Sequence, residues 1–257
     1  MGAERTDGTE DAVLGGRLVL RQPRRGHRVG HDAILLSASC SARPRQHVVE
    51  PGAGVGAAGL AVARRVDGLR LTLIDIDPAL AALARENAER NGLAERTRVI
   101  CLDVTASPAD FAAAGLSSRG EVDHVLMNPP FNPEHNPSPD RGRQLAHAGA
   151  DDTLPRWVGA AARLLRPAGV LTLIWRADGL DAVLTALAGS FGGPRVLPIH
   201  PKPSAPAIRV LVRAVKESRA PLTLFPGLVL TDGNGQPTAA AEAVLRGGAV
   251  LALAEQD

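Results

Sequence analysis

The chain has 257 residues, enough for one sizeable core, and is 45% hydrophobic and 22% charged. Lys and Arg number 29 against 27 Asp and Glu, so the net charge of +2 excludes a histone-like polycation. An aromatic content of 2%, with four Phe, two Trp and no Tyr, excludes a stacking platform for RNA or an aromatic-lined carbohydrate or peptide groove.

In chain order, residues 1–15 are polar and acidic; they read as disordered and as no signal peptide. Leu18–Leu20 is a short strand before a basic loop, Gln22–Gly30, and His31–Cys40 is a helix with Asp32 in its first turn. A strand–helix rhythm then begins. His47–Glu50 is a β-branched run that leads into the glycine-rich turn Pro51–Gly56 and a helix to about Arg65. Leu69–Ile76 is a strand ending in acids, and Pro78–Asn91 is a helix with Pro in its first turn and Asn-Gly at its end. Arg98–Leu102 is a strand, Asp110–Gly115 a short helix, and Val122–Met127 a strand ending in Asn128-Pro129-Pro130-Phe131. Residues 132–152 form a long polar loop. Leu154–Leu165 and Leu180–Ala188 are helices flanking the strand Val170–Trp175. Arg195–His200 and Ile208–Ala214 are joined by a segment too short for a crossover helix, so the last strand runs antiparallel. Residues 217–257 are a tail with a strand over Leu222–Leu230, a turn at Asp232–Gly235 and a helix capped near Thr238. The alternation predicts an α/β fold, a mostly parallel sheet with helices on both faces. The two cysteines, Cys40 and Cys101, form no CxxC or zinc pattern and fit a cytoplasmic location. No apolar run approaches the ~20 residues of a membrane span.

Ligands of such sheets lie beyond the carboxyl ends of the strands, and four consecutive strand ends carry suggestive groups. Glu50-x-Gly52-x-Gly54 lets backbone approach a ligand at a helix N-terminus. Gly54-x-Gly56-x-x-Gly59 also matches the dinucleotide pattern, but a carboxylate at Glu50 opposes a pyrophosphate and suits a cationic ligand. In Asp75-Ile-Asp77-Pro78, Asp75 is placed to accept the hydroxyls of a ribose, and Asp77 to cap the following helix. Asp103 is placed for an adenine amino group. In Asn128-Pro129-Pro130-Phe131 the prolines fix the backbone and donate nothing. The Asn128 amide oxygen and the Pro129 carbonyl can therefore converge on one amino group, with Phe131 as a flat apolar face.

This series resembles the class I S-adenosylmethionine-dependent methyltransferases over about residues 16–215, and NPPF is similar to the element of their amino-methylating branch. More closely, Gly26–Ala38, Val48–Gly56, Asp75–Pro78, NPPF and His200–Lys216 resemble the tRNA1(Val) (adenine-37-N6)-methyltransferase family. The resemblance implies a Rossmann-like fold with a seven-stranded sheet and an antiparallel C-terminal strand. It implies a methyltransferase domain over 16–216, whose segment 16–46 covers cofactor and substrate, with Asp32 near the methionine end. It implies S-adenosyl-L-methionine as cofactor, held by Asp32, Glu50, Gly52, Gly54, Asp75, Asp103 and Asn128. The catalytic element is Asn128, Pro129, Pro130 and Phe131, and no metal is needed. The tail over 221–254 departs from the family pattern.

The implied partner is RNA, tRNA foremost, and the arginine-rich loops 21–28 and 141–143 suit phosphate contacts. Other amino acceptors of the same branch are rRNA guanine N2, DNA adenine N6 and a release-factor glutamine. The 47 residues before Val48 leave no room for the helical N-terminal domain of the release-factor enzymes. From other classes come an NAD-dependent oxidoreductase, which gives no reason for NPPF, and a non-catalytic binding module, which gives none for the complete series.

Overall fold

A computed structural model describes residues 8–24, 28–116, 120–130 and 150–255. β1 (Gly8–Val13) and β2 (Leu18–Pro23) form an antiparallel hairpin, with Val13 opposite Leu18. α1 (His31–Ala38) leads to the main sheet. Its first half is β3 (His47–Pro51), α2 (Ala57–Arg65), β4 (Arg70–Asp75), α3 (Pro78–Arg90), β5 (Thr97–Cys101), α4 (Pro108–Ala113) and β6 (Val122–Met127). The second half is α5 (Ala150–Leu164), β7 (Leu165–Arg176), α6 (Leu180–Leu187), β8 (Phe191–His200) and β9 (Arg209–Lys216). The tail adds β10 (Thr223–Leu224), β11 (Leu228–Val229) and α7 (Ala239–Leu245).

Among the described residues the main sheet runs β5-β4-β3-β6-β7-β9-β8, with β10 and β11 both on β8. All neighbours pair in parallel except β9, which lies antiparallel between β7 and β8. The seven long strands match the expected sheet, and the chain reverses direction of travel at β3–β6, where the central crevice opens. Local chemistry sets the element ends. Asp77 caps α3 by accepting from the Ala79 and Leu80 N–H groups, with Pro78 at the first position. Ser107 and Asp110 form a reciprocal capping box on α4. β7 begins five residues before the expected Val170, because a bulge with Ala168 at φ 57° lets Leu165 pair with Val122.

Two apolar layers cover the sheet. One joins α1, α2 and α3 to the tail through Leu35, Leu60, Ala84, Leu211, Val244 and Leu253. The other joins α4, α5 and α6 through Phe111, Val158, Val183 and Phe191. Burying an aliphatic or aromatic side chain in such a layer is worth about 1.5–3 kcal/mol. Phe111 and Phe191 are thus core residues, and Phe225 packs beside the tail with the Arg195 guanidinium 5.0 Å from its ring centre. No helix among the described residues is long and apolar enough to cross a membrane.

Two expectations change. The N-terminal stretch read as disordered is a strand and a 3-10 turn from residue 8 to 16. Its acids find distant cations: Asp11 pairs with Arg28 at 2.7 Å and Glu10 with Arg90 at 2.7 Å. The tail strand expected over Leu222–Leu230 is broken in two at Pro226-Gly227, since proline cannot donate to a ladder.

Candidate active site

The glycine turn is held from below by β4. Ala53 N–H donates to the Ile74 carbonyl at 2.9 Å, and Gly54 N–H to Asp75 Oδ2 at 2.7 Å. Gly52, Gly54 and Gly56 all have φ between 56° and 87°, a region an L side chain enters only under strain. Glu50, at the end of β3, is 5% exposed, and its Oε2 accepts from Gly59 N–H at 2.6 Å. That N–H is one of the unsatisfied donors of the first turn of α2, so Glu50 caps the helix from the sheet. A side chain at Gly59 would strike both Glu50 and Leu73. Burial pushes the Glu50 carboxyl up to about 8, against the Gly59 hydrogen bond and with help from nearby Asp75.

Asp75 sits at the end of β4 and uses its second oxygen to accept from Asp77 N–H at 2.9 Å. Burial raises its carboxyl above the ordinary carboxylate range, and the N–H donors of Asp77 and Gly54 oppose this. Glu50, Gly52, Gly54 and Asp75 are therefore brought into one cluster. Asp103 follows β5, is exposed, and accepts from the Thr105 N–H and hydroxyl at 2.7 and 2.8 Å. Between Asp75 and Asp103 lies Ile76, 65% exposed, an apolar surface that sequence reasoning passed over. A large aliphatic residue placed between two acids at a strand end was its only signal.

At the end of β6, Asn128 is half-buried, Pro129 buried and Pro130 exposed. The Asn128 amide has no hydrogen-bond partner among the described residues. Phe131 lies outside the described residues, as do Arg25, Arg141 and Arg143. Trp157 of α5 was also passed over. Its indole lies against Gly52, so that a β-carbon there would collide with the ring. Trp157 thus joins the turn after β3 to the helix that follows the Asn128 segment.

Asp32 of α1 does not stand alone. Its Oδ2 accepts from Arg209 Nε on β9 at 3.0 Å, with both side chains about a quarter exposed. The arginine-rich loop is likewise engaged within the chain. Arg21 reaches both carboxylate oxygens of Glu86 at 2.9 and 3.2 Å, and Arg28 binds Asp11. Arg21 and Arg28 thus tie this loop to α3 and β1. Asn87 on α3 and Asn91, which caps its C-terminus, also tie β2 to this helix. Asn87 accepts from Arg21 N–H at 2.7 Å and donates to the carbonyls of Arg21 and Val55, while Asn91 pairs with both backbone groups of Val19. Spaced four apart on one helix face, they bind β2 as a neighbouring strand would. Among the described residues no group of three or more His, Cys, Asp or Glu is placed to hold a metal.

The fold is similar to those of known methyltransferases. A predicted O-methyltransferase from Agrobacterium tumefaciens, of known structure, is 30% identical, covers 86% of this chain and 98% of its own, and superposes with a TM-score of 0.72. The tRNA1(Val) (adenine(37)-N6)-methyltransferase of Porphyromonas gingivalis is 33% identical over 159 residues, 60% of each chain. A release factor glutamine methyltransferase of Moorella thermoacetica is 34% identical over 162 residues, 59% of this chain and 54% of the relative. The chain thus spans a little over half the length of these curated relatives. Residues 28–198 match the methyltransferase small domain, and the chain belongs to that family.

Proposed function

We propose that the chain is an S-adenosylmethionine-dependent methyltransferase that methylates N6 of an adenine in tRNA. The observation that carries this reading is the placement of Asn128, followed by two prolines, at the end of β6 next to the glycine turn after β3. The names of the relatives, tRNA adenine-N6 methyltransferases among them, support the acceptor.

The residues fit the cofactor. At Gly54, with positive φ, the backbone is open to a ligand, and the carboxyl groups of Asp75 and Glu50 suit a hydroxyl-bearing molecule rather than a pyrophosphate. Asp75 would hold the ribose, Asp103 the adenine amino group, and Ile76 one face of the ring. When bound, S-adenosylmethionine supplies an electrophilic methyl group on a positively charged sulfur. The protein's task is to orient the acceptor. An exocyclic amine is a poor nucleophile because its lone pair is delocalised into the ring. The Asn128 amide oxygen and the Pro129 carbonyl accept its two N–H groups and turn the lone pair toward the methyl carbon. This is catalysis by positioning and by fixed dipoles. Phe131 would stack on the extruded base. With the amine so oriented, transfer would leave the thioether of the cofactor as leaving group, and the surplus N–H proton would pass to water without a protein base.

Methylation of bulk tRNA with methyl-labelled cofactor, followed by digestion to nucleosides, tests the proposal. Label in N6-methyladenosine is expected. Label in N2-methylguanosine, or in protein alone, would overturn the acceptor.

A further inference from the structure

We infer that the groove between the β8–β9 turn and the tail binds a nucleobase flanking the methylated one, in the same RNA strand. The inference rests on the RNA reading proposed above. The groove has a volume of about 530 Å³ and is lined by His200, Ser204, Ala205, Pro206, Gly227 and Val229.

Position comes first. β8 runs in the same direction as β6, so the β8–β9 turn lies on the same edge of the sheet as Asn128. Three strand spacings separate the two ends, roughly 14 Å at about 4.8 Å each. A single-stranded segment spans that distance in a few nucleotides. Arg21 and Arg28, in the loop before α1, pair with Glu86 and Asp11.

The chemistry of the lining suits a flat, amphipathic heterocycle. His200 Nδ1 is 2.8 Å from the Ala205 carbonyl. A carbonyl only accepts, so that nitrogen carries the hydrogen, and Nε2 of the neutral ring is an acceptor. A base amino group is the matching donor. Ser204 adds a hydroxyl that donates or accepts, over an apolar floor of Ala205, Pro206 and Val229. The backbone there is held in an unusual shape: Ser204 has φ 61°, a region that costs a non-glycine residue of order 1 kcal/mol or more. Gly227 is required beneath the imidazole, since a β-carbon would lie 2.7 Å from Nε2. The tail fixes this geometry. Leu230 N–H donates to the His200 carbonyl at 2.8 Å, and the Thr231 hydroxyl to the Pro201 carbonyl at 2.7 Å. The segment 221–231 is thereby given a role as one wall of a substrate site.

The test compares wild type with Ala205→Trp, which fills the groove, and His200→Ala, which removes the acceptor. Each protein is titrated with S-adenosylmethionine by calorimetry and with fluorescein-labelled bulk tRNA by anisotropy. Expected is a tRNA affinity about ten-fold weaker in Ala205→Trp and about three- to five-fold weaker in His200→Ala, the scale of one lost base contact. The KM for tRNA rises in parallel, while cofactor affinity stays within two-fold. Wild-type tRNA affinity in both variants overturns the assignment. A parallel loss of cofactor affinity in both variants also overturns it, because the damage is then general. A wild-type protein that binds no S-adenosylmethionine, or leaves tRNA unmethylated, overturns the proposed function itself.

Discussion

At the carboxyl ends of β3 and β4 the acids are already engaged: Glu50 accepts from Gly59, and Asp75 from Gly54 and Asp77. At the end of neighbouring β6, the Asn128 amide is held by its flanking backbone and bonded to none of the described residues. The first region is shaped by hydrogen bonds within the protein, which orient Asp75 and leave its remaining lone pairs for a ligand. In the second, no described residue takes up the Asn128 amide. On the proposed function, the first strand end would hold the methyl donor and the second would aim the acceptor.

The largest effect should come from breaking the open side. Asn128→Ala is expected to reduce single-turnover methylation at least 10²- to 10³-fold, the cost of one preorganised acceptor or donor, roughly 2.7–4 kcal/mol. S-adenosylmethionine affinity, measured by calorimetry, stays within a few-fold. Normal turnover in this variant would remove Asn128 from the mechanism. Next comes the closed side. Gly52→Ala meets the Trp157 ring and takes a side chain into φ 66°. Strain and overpacking together cost about 2–4 kcal/mol in unfolding free energy. A double-mutant cycle with Trp157→Leu should show a coupling of about 1 kcal/mol or more, because only the packing part is relieved. Additive effects would mean the indole does not shape the turn.

The smallest effect is a pH profile. The Glu50 carboxyl is raised in the fold to about 8 from 4.5, so its stabilising contribution is complete below pH 4.5 and is lost as pH rises through 8. His124 behaves oppositely. Burial holds it down to about 4 from 6.5, so its contribution is complete above pH 6.5 and is lost as pH falls through 4. The gap in melting temperature between Glu50→Gln and wild type should therefore move in favour of the variant from pH 5 to pH 8. A gap constant over that range would show that Glu50 is already ionised in the fold.

The closed side was the more legible one in the sequence. Apolar runs that end in Glu50, Asp75 and Asp103 mark strand ends, and a short link between two runs gave the antiparallel β9, because these signals are local. What stayed hidden depends on partners far apart in the chain. Asp11 and Glu10 read as solvated charge until Arg28 and Arg90 come beside them. Asn87 and Asn91 read as ordinary helix residues until β2 lies against them. Nothing in the helix of Trp157 points to a glycine over a hundred residues earlier.

The short strands β10 and β11 have a consequence of another kind. β8 is ten residues long and lies at the margin of the sheet. A bare strand of that length offers a row of unpaired N–H and C=O groups to any other chain. The tail occupies part of that row through Phe225 N–H on the Val196 carbonyl and Leu230 N–H on the His200 carbonyl, both at 2.8 Å. Pro226 between them donates nothing and so ends the ladder that the tail itself might extend. The tail in this sense guards the margin of the sheet, covering groups that would otherwise be open to pairing with another strand.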